Sequence, residues 1–156
     1  MDIARCLDTI DQLCARPFPA APGWSRLGRE GPGYFLTEWT DDTGGCDGED
    51  TLPARAAGDP PPLTAGDLAA LRDALAQRLD TRWPPHPRLG TATLRVRLER
   101  AEEIPEPWAS MAVLVDDMHL WEAQEHGRWI ALGVARGEEH VTPARLIVTV
   151  TDIPPV

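Results

Sequence analysis

The chain has 156 residues, 42% of them hydrophobic and 26% charged, with a formal net charge of -10. A chain of this length buries about two thirds of its unfolded surface on folding, so it needs no disulfide or metal staple. Its acidity excludes a duplex nucleic-acid binder, which needs a basic stripe against phosphates, and disfavours docking on anionic lipid.

The longest uncharged apolar run, Ala109 to Val115, falls far short of the roughly 20 residues that span a bilayer. The opening residues, Met1 to Cys6, show no basic stretch followed by an apolar one. No secretory signal is expected, and the cytoplasm is the expected compartment. There is no lysine and no asparagine, and all 15 basic residues are arginine. Lys and Asn have AT-rich codons, so this bias points to a GC-rich genome of actinobacterial type.

Asp2 to Arg16 reads as an amphipathic helix, with Ile3, Cys6, Leu7, Ile10, Leu13 and Cys14 recurring at three and four. Cys6 and Cys14 lie about 12 Å apart on such a helix, too far for a disulfide. Trp24 to Arg29 and Gly33 to Trp39 read as two strands around the turn Glu30-Gly31-Pro32-Gly33. Residues 40–63 form a long loop rich in Asp, Gly and Pro.

The next element is a helix capped by Thr64, with Asp67 three residues on and Pro84-Pro85 beyond its end. Leu68, Leu71, Leu75 and Leu79 form its apolar stripe. The period then becomes alternating. Leu94, Val96 and Leu98 alternate with Arg95, Arg97 and Glu99, which predicts a strand with one wet face. Strands are also expected at Ala112 to Val115, Met118 to Ala123, Arg128 to Arg136 and Arg145 to Thr151.

Strands that follow helices argue for the α+β class: a single domain spanning residues 1–156. Two amphipathic helices would pack on a mainly antiparallel sheet, made of an N-terminal hairpin and a C-terminal meander of about four strands. In the strand at 128–136, Ile130, Leu132 and Val134 share one face and Ala131, Gly133 and Ala135 the other. Both faces are apolar, so this strand is expected at the centre. The small residues leave a trough into which the leucine stripe of the second helix is expected to fit.

The search for chemistry is largely negative. His119 stands near Asp116, Asp117 and Glu122, and a fold could gather these with Glu138 and His140. The histidine spacings match no zinc motif and there is no C-x-x-C, so no metal is expected. The loop from Asp41 to Asp50 has the composition of a calcium loop. With Gly48 as its turn glycine, however, Thr43 and Gly45 occupy ligand positions and Ala54 replaces the bidentate Glu. Phosphate loops are absent, and Ser25 and Ser110 sit in no nucleophile elbow. No catalytic residue and no cofactor is therefore expected. Adjacent Asp116 and Asp117 lie in an apolar region, which hints at a raised pKa, although a turn or bulge is the simpler reading.

Charge and tryptophan carry the one positive hint. Residues 38–50 hold six acids and no arginine, and residues 99–125 hold eight acids and one. There are six tryptophans, against two Phe and one Tyr. Most are expected to fill the core, with Trp108 in the loop Pro105-Glu106-Pro107 as the exception. The expected binding residues are Asp41, Asp42, Asp47, Glu49, Asp50, Trp108, Asp116, Asp117 and Trp121. They would form an acidic surface for a basic protein partner. The expected function is a non-enzymatic protein-binding module, of the immunity or antitoxin kind. A rival is an enzyme or small-molecule binder with a Trp-lined pocket, using carboxylates or His119 as acid or base. A third reading is a structural homo-oligomer built through a sheet edge.

Overall fold

The computed structural model describes residues 3–25, 28–39, 64–136 and 144–155. The long loop expected at 40–63 lies outside these residues. The first amphipathic period folds as expected into helix α1, Ile3–Ala15, which buries Cys6, Ile10, Leu13 and Cys14. Neither Cys6 nor Cys14 forms a disulfide, and burial, reinforced by Asp11, pushes the Cys14 thiol up to about 12.

Strands β1 (Gly23–Ser25), β2 (Gly28–Gly31) and β3 (Tyr34–Trp39) form an antiparallel meander. A hairpin is present, but the strand expected at 24–29 corresponds to parts of both β1 and β2, and Glu30 and Gly31, expected in the turn, pair with Phe35 and Tyr34 instead. Gly33 carries the left-handed backbone of that turn, φ 83°.

Helix α2, Ala65–Asp80, begins with a reciprocal cap. The Asp67 amide donates to Thr64 Oγ1 at 3.1 Å, and the Thr64 amide donates to Asp67 Oδ2 at 2.9 Å. The Thr64 amide, and after it the Thr64 hydroxyl, which also donates to Asp67 Oδ2 at 2.9 Å, hold the Asp67 carboxyl below the usual carboxylate range. Thr64→Ala strands the Asp67 amide and is expected to cost about 1 kcal/mol, read as a lower denaturant midpoint at unchanged slope.

The short strand β4, Leu89–Gly90, leads into two helices where strands were expected. Helix α3 spans Ala92–Glu99 and α4 spans Trp108–Leu114. In α3 the alternation is only apparent. Leu94 and Leu98, four apart, pack inward, while Val96 between them is exposed. Leu, Arg and Glu favour a helix, and Arg95 ties it down by donating to the carbonyls of Ala112 and Val115. In α4, Trp108, Met111 and Ala112 are buried, and Val115 follows them one turn on. That is a helical period, and the apolar segment 112–115 is its second half.

Strands β5 (Asp117–Ala123), β6 (Arg128–Ala135) and β7 (Arg145–Thr151) complete the sheet as a second antiparallel meander. The order is β1-β2-β3-β7-β6-β5-β4, with β7 joining the two meanders through β3. The architecture is α+β, with four helices on a seven-stranded antiparallel sheet among the described residues. No helix among them is long and apolar enough to cross a membrane.

Both faces of the sheet are covered, and β6 is interior as expected. On one side α1 and α2 bury Leu68, Leu75 and Leu79 against Ile130, Leu132, Val148 and Val150. On the other side α3 and α4 pack Leu94, Trp108, Met111 and Ala112 against Leu36, Leu120, Ala131, Ala135 and Ile147. The expected docking is therefore reversed. The leucine stripe of α2 meets the large β6 residues, and the small ones face α4. A Cβ on Gly133 would come within 2.9 Å of the Asp117 carbonyl oxygen and 3.0 Å of a Val115 methyl. The trough accommodates the chain leaving α4, with no room for a leucine.

Candidate functional site

The residues expected to bind separate into three groups. Asp41, Asp42, Asp47, Glu49 and Asp50 lie outside the described residues. Trp108 and Trp121 are core residues. Trp108 opens α4 with no exposed surface, and its indole Nε1 donates to the Ile153 carbonyl at 3.1 Å. The expectation of a tryptophan displayed on a loop is thus corrected: Pro105 and Pro107 precede a helix whose first side chain turns inward. Trp121 is equally buried, and its Nε1 donates to Asp80 of α2 at 2.8 Å.

Asp116 and Asp117 part company at the start of β5. Asp116 accepts from Arg95 at 2.8 Å and lies 3.8 Å from Arg136. Its carboxyl is held below the usual range, chiefly by the Arg95 hydrogen bond, so the raised value hinted at by sequence is corrected. Asp117 accepts from Arg88 at 3.0 Å and stands 3.6 Å from Arg72 of α2. Asp116 lies in the bend before β5 and Asp117 opens the strand, and the two carboxylates serve different arginines and form no dyad.

The acidic stretch 99–125 is accordingly laced with guanidinium groups. Glu102 pairs with Arg97 at 2.8 Å, and Glu106 stands 3.7 Å from Arg29. Glu125 instead accepts from the Trp83 indole at 2.6 Å. Five of these arginines, Arg29, Arg72, Arg88, Arg95 and Arg97, precede the acidic stretch in the chain, and the fold brings them onto it. Four of the eight acids in this stretch, Glu102, Glu106, Asp116 and Asp117, thus have an arginine partner. Glu99, Glu103 and Glu122 make no ion pair among the described residues, and the first two are exposed.

Two further features stand out; the first had no clear sequence signal, and the second is centred on His119, which sequence did single out. The first is where apolar surface is displayed. Trp24 on β1 is 79% exposed, Val113 on α4 is 70% exposed, and Val96 on α3 is 44% exposed. All three lie on the α3–α4 side of the sheet. Trp24 pairs with Arg29 across the strands and so shares its face. Arg29 in turn donates to Ser110 of α4 at 2.6 Å. Among the described residues, β1 is also the last strand of the sheet at that end.

The second feature lies on the α1–α2 side. His119 of β5 stacks on Trp121, ring centroids 5.9 Å apart, and its Nε2 is 3.9 Å from Asp73 of α2. Burial holds the His119 imidazole below its ordinary value, with Arg88 and Arg72 adding to the effect. His86 does not join it; it packs on Trp129, centroids 5.0 Å apart. Trp129 faces the α3–α4 side, opposite to Trp121. Glu138 and His140 lie outside the described residues, and no three His, Cys, Asp or Glu side chains converge on a metal-sized site among the described ones.

No protein-family model matches the chain, and no curated protein and no solved structure matches it.

Proposed function

We propose that the chain is a non-enzymatic protein-binding module of the cytoplasm that receives a basic partner on the α3–α4 side of its sheet. The observation that carries this reading is the placement of its exposed large hydrophobics. Trp24, Val96 and Val113 all lie on that side, and among the described residues none lies on the α1–α2 side. An exposed tryptophan on an outermost strand is the kind of side chain that anchors interfaces. Glu99 at the end of α3, Glu103 just beyond it and Glu122, which pairs with Trp129 on the α3–α4 face of the sheet, make no ion pair among the described residues and suit a positively charged partner. The net charge of -10 would steer such a partner's approach. The most concrete form of the module is an immunity-like protein that masks a basic toxin.

The test is affinity capture from the source cell, followed by binding kinetics with the captured protein. Trp24→Ala is expected to weaken binding by about 2 kcal/mol, mainly through faster dissociation. Stability should change by less than about 0.5 kcal/mol, since the side chain is exposed. Glu99→Gln with Glu103→Gln should slow association and flatten its salt dependence. Unchanged affinity in both Trp24→Ala and Val113→Asp would refute the surface.

One observation favours a second reading, a small-molecule site using acid–base chemistry. His119 combines a stacked tryptophan, a facing carboxylate and two guanidinium groups. A fragment screen with chemical shifts clustered on His119, Trp121 and Arg72 would support that reading over the first.

A further inference from the structure

We propose that His119 is an acid-sensitive latch between α2 and β5, whose protonation loosens the polar seam formed around it by Arg72, Asp73, Arg88 and Asp117. The seam is balanced when the imidazole is neutral. Arg72 Nε holds Asp73 Oδ1 at 3.2 Å, Arg72 Nη1 reaches Asp117 at 3.6 Å, and Arg88 holds Asp117 at 3.0 Å. Among the described residues, two cations thus face two carboxylates. A second tie, from Trp121 to Asp80, joins the same two elements.

His119 Nε2 is buried within this arrangement and has no hydrogen-bond partner among the described residues. Asp73 Oδ1 is 3.9 Å away, beyond hydrogen-bond reach and already engaged by Arg72. Opposite His119 across the strands, β6 offers uncharged Leu132. A proton on the ring therefore adds a third cation to a site whose two carboxylates are taken. A proton placed on Nε2 must either draw Asp73 away from Arg72 or turn toward water. Each movement breaks a contact at the α2–β5 seam.

The direction in pH follows. Burial, with Arg88 and Arg72, holds the folded-state value below the ordinary one, against the opposing pull of Asp73 and Asp117. The folded chain then binds fewer protons than the unfolded chain as pH falls. The stability associated with neutral His119 is fully present above about pH 6.5, the unfolded value, and is lost as pH falls through the folded value. The latch holds near neutrality and weakens in acid.

The experiment uses the full chain and two readouts. One is an NMR titration of the His119 ring. The other is amide hydrogen exchange in α2, β5 and β7 at about pH 7.5 and about pH 5.5, corrected for the intrinsic pH dependence of exchange. His119 should titrate below the ordinary histidine value, and α2 and β5 should lose protection severalfold more than β7. His119→Gln should abolish that difference. Arg88→Gln, at the exposed rim of the seam, should raise the midpoint of both the ring titration and the protection loss. A ring that titrates at or above the ordinary value overturns the latch. So does an equal loss of protection throughout β7, or one that persists in His119→Gln. Should that variant fail to fold, an unmoved midpoint in Arg88→Gln overturns it equally.

Discussion

Trp108→Ala is expected to lower stability by about 3–5 kcal/mol, a large share of the roughly 5–15 kcal/mol that holds a domain of this size folded. The indole has no exposed surface and packs among Leu36, Met111, Leu120 and Ile147. Truncation leaves a cavity between α4 and the sheet that the short helix can fill only in part. It also removes the donor to the Ile153 carbonyl, 3.1 Å from Nε1. Trp108→Phe keeps most of the ring and loses the N–H, so it should cost less than the alanine variant. Denaturant titration followed by circular dichroism measures both. The result separates two roles: an anchor displayed for a partner could be truncated with stability intact. A loss below about 1 kcal/mol would mean that α4 does not lie on the sheet.

Leu75→Asp should have a still larger effect. Leu75 is fully buried at the middle of α2, between α1 and the strands. A carboxylate there has no partner and no route to water, and the expected cost of about 4 kcal/mol or more approaches the whole stability. The chain should be expressed insoluble or largely unfolded. Leu71→Asp, one turn earlier, is the control. Leu71 belongs to the same leucine stripe by spacing but is only half-buried. It sits about 60° around the helix from Leu68, whereas Leu75 and Leu79 lie within about 20° of it. An aspartate at 71 can rotate outward and should cost about 1–2 kcal/mol. Equal losses in the two variants, compared by soluble yield and denaturant midpoint, would mean that α2 is rotated from the position described.

The two variants also show why the leucine stripe gave the helix but not its exact orientation. Spacing at three and four identifies a buried face to within about one residue on either side. Leu71 and Arg72 flank the buried line, and the side chain of Arg72 is only 13% exposed. A sequence reading places the leucine inside and the arginine outside. The fold makes them near equals, because the aliphatic stem of an arginine can lie along apolar surface while its head pairs with carboxylates.

Sequence by itself determined the elements whose information is local and redundant. α1 and α2 repeat their apolar period over three or more turns, and α2 carries its own cap in Thr64 and Asp67. β6 and β7 are runs of apolar and β-branched residues that read as strands without reference to partners, and β6, apolar on both faces, reads as an interior one. From these alone the α+β class follows. Tertiary structure decided the rest. Leu94, Val96 and Leu98 fit a strand by alternation and a helix by the spacing of four, and packing of Leu94 and Leu98 beside α4 chose the helix. Seven or eight residues hold too few turns to settle the matter locally, since short helices owe their stability to what they pack against. The burial of Trp108, the reversed faces of β6 and the pairing of Arg29 with Glu106 and Arg88 with Asp117 likewise depend on residues distant in the chain. Charge counted along a sequence records which side chains are neighbours in the chain. Electrostatic energy depends on which are neighbours in space, and only the folded sheet brought the arginines onto the acids.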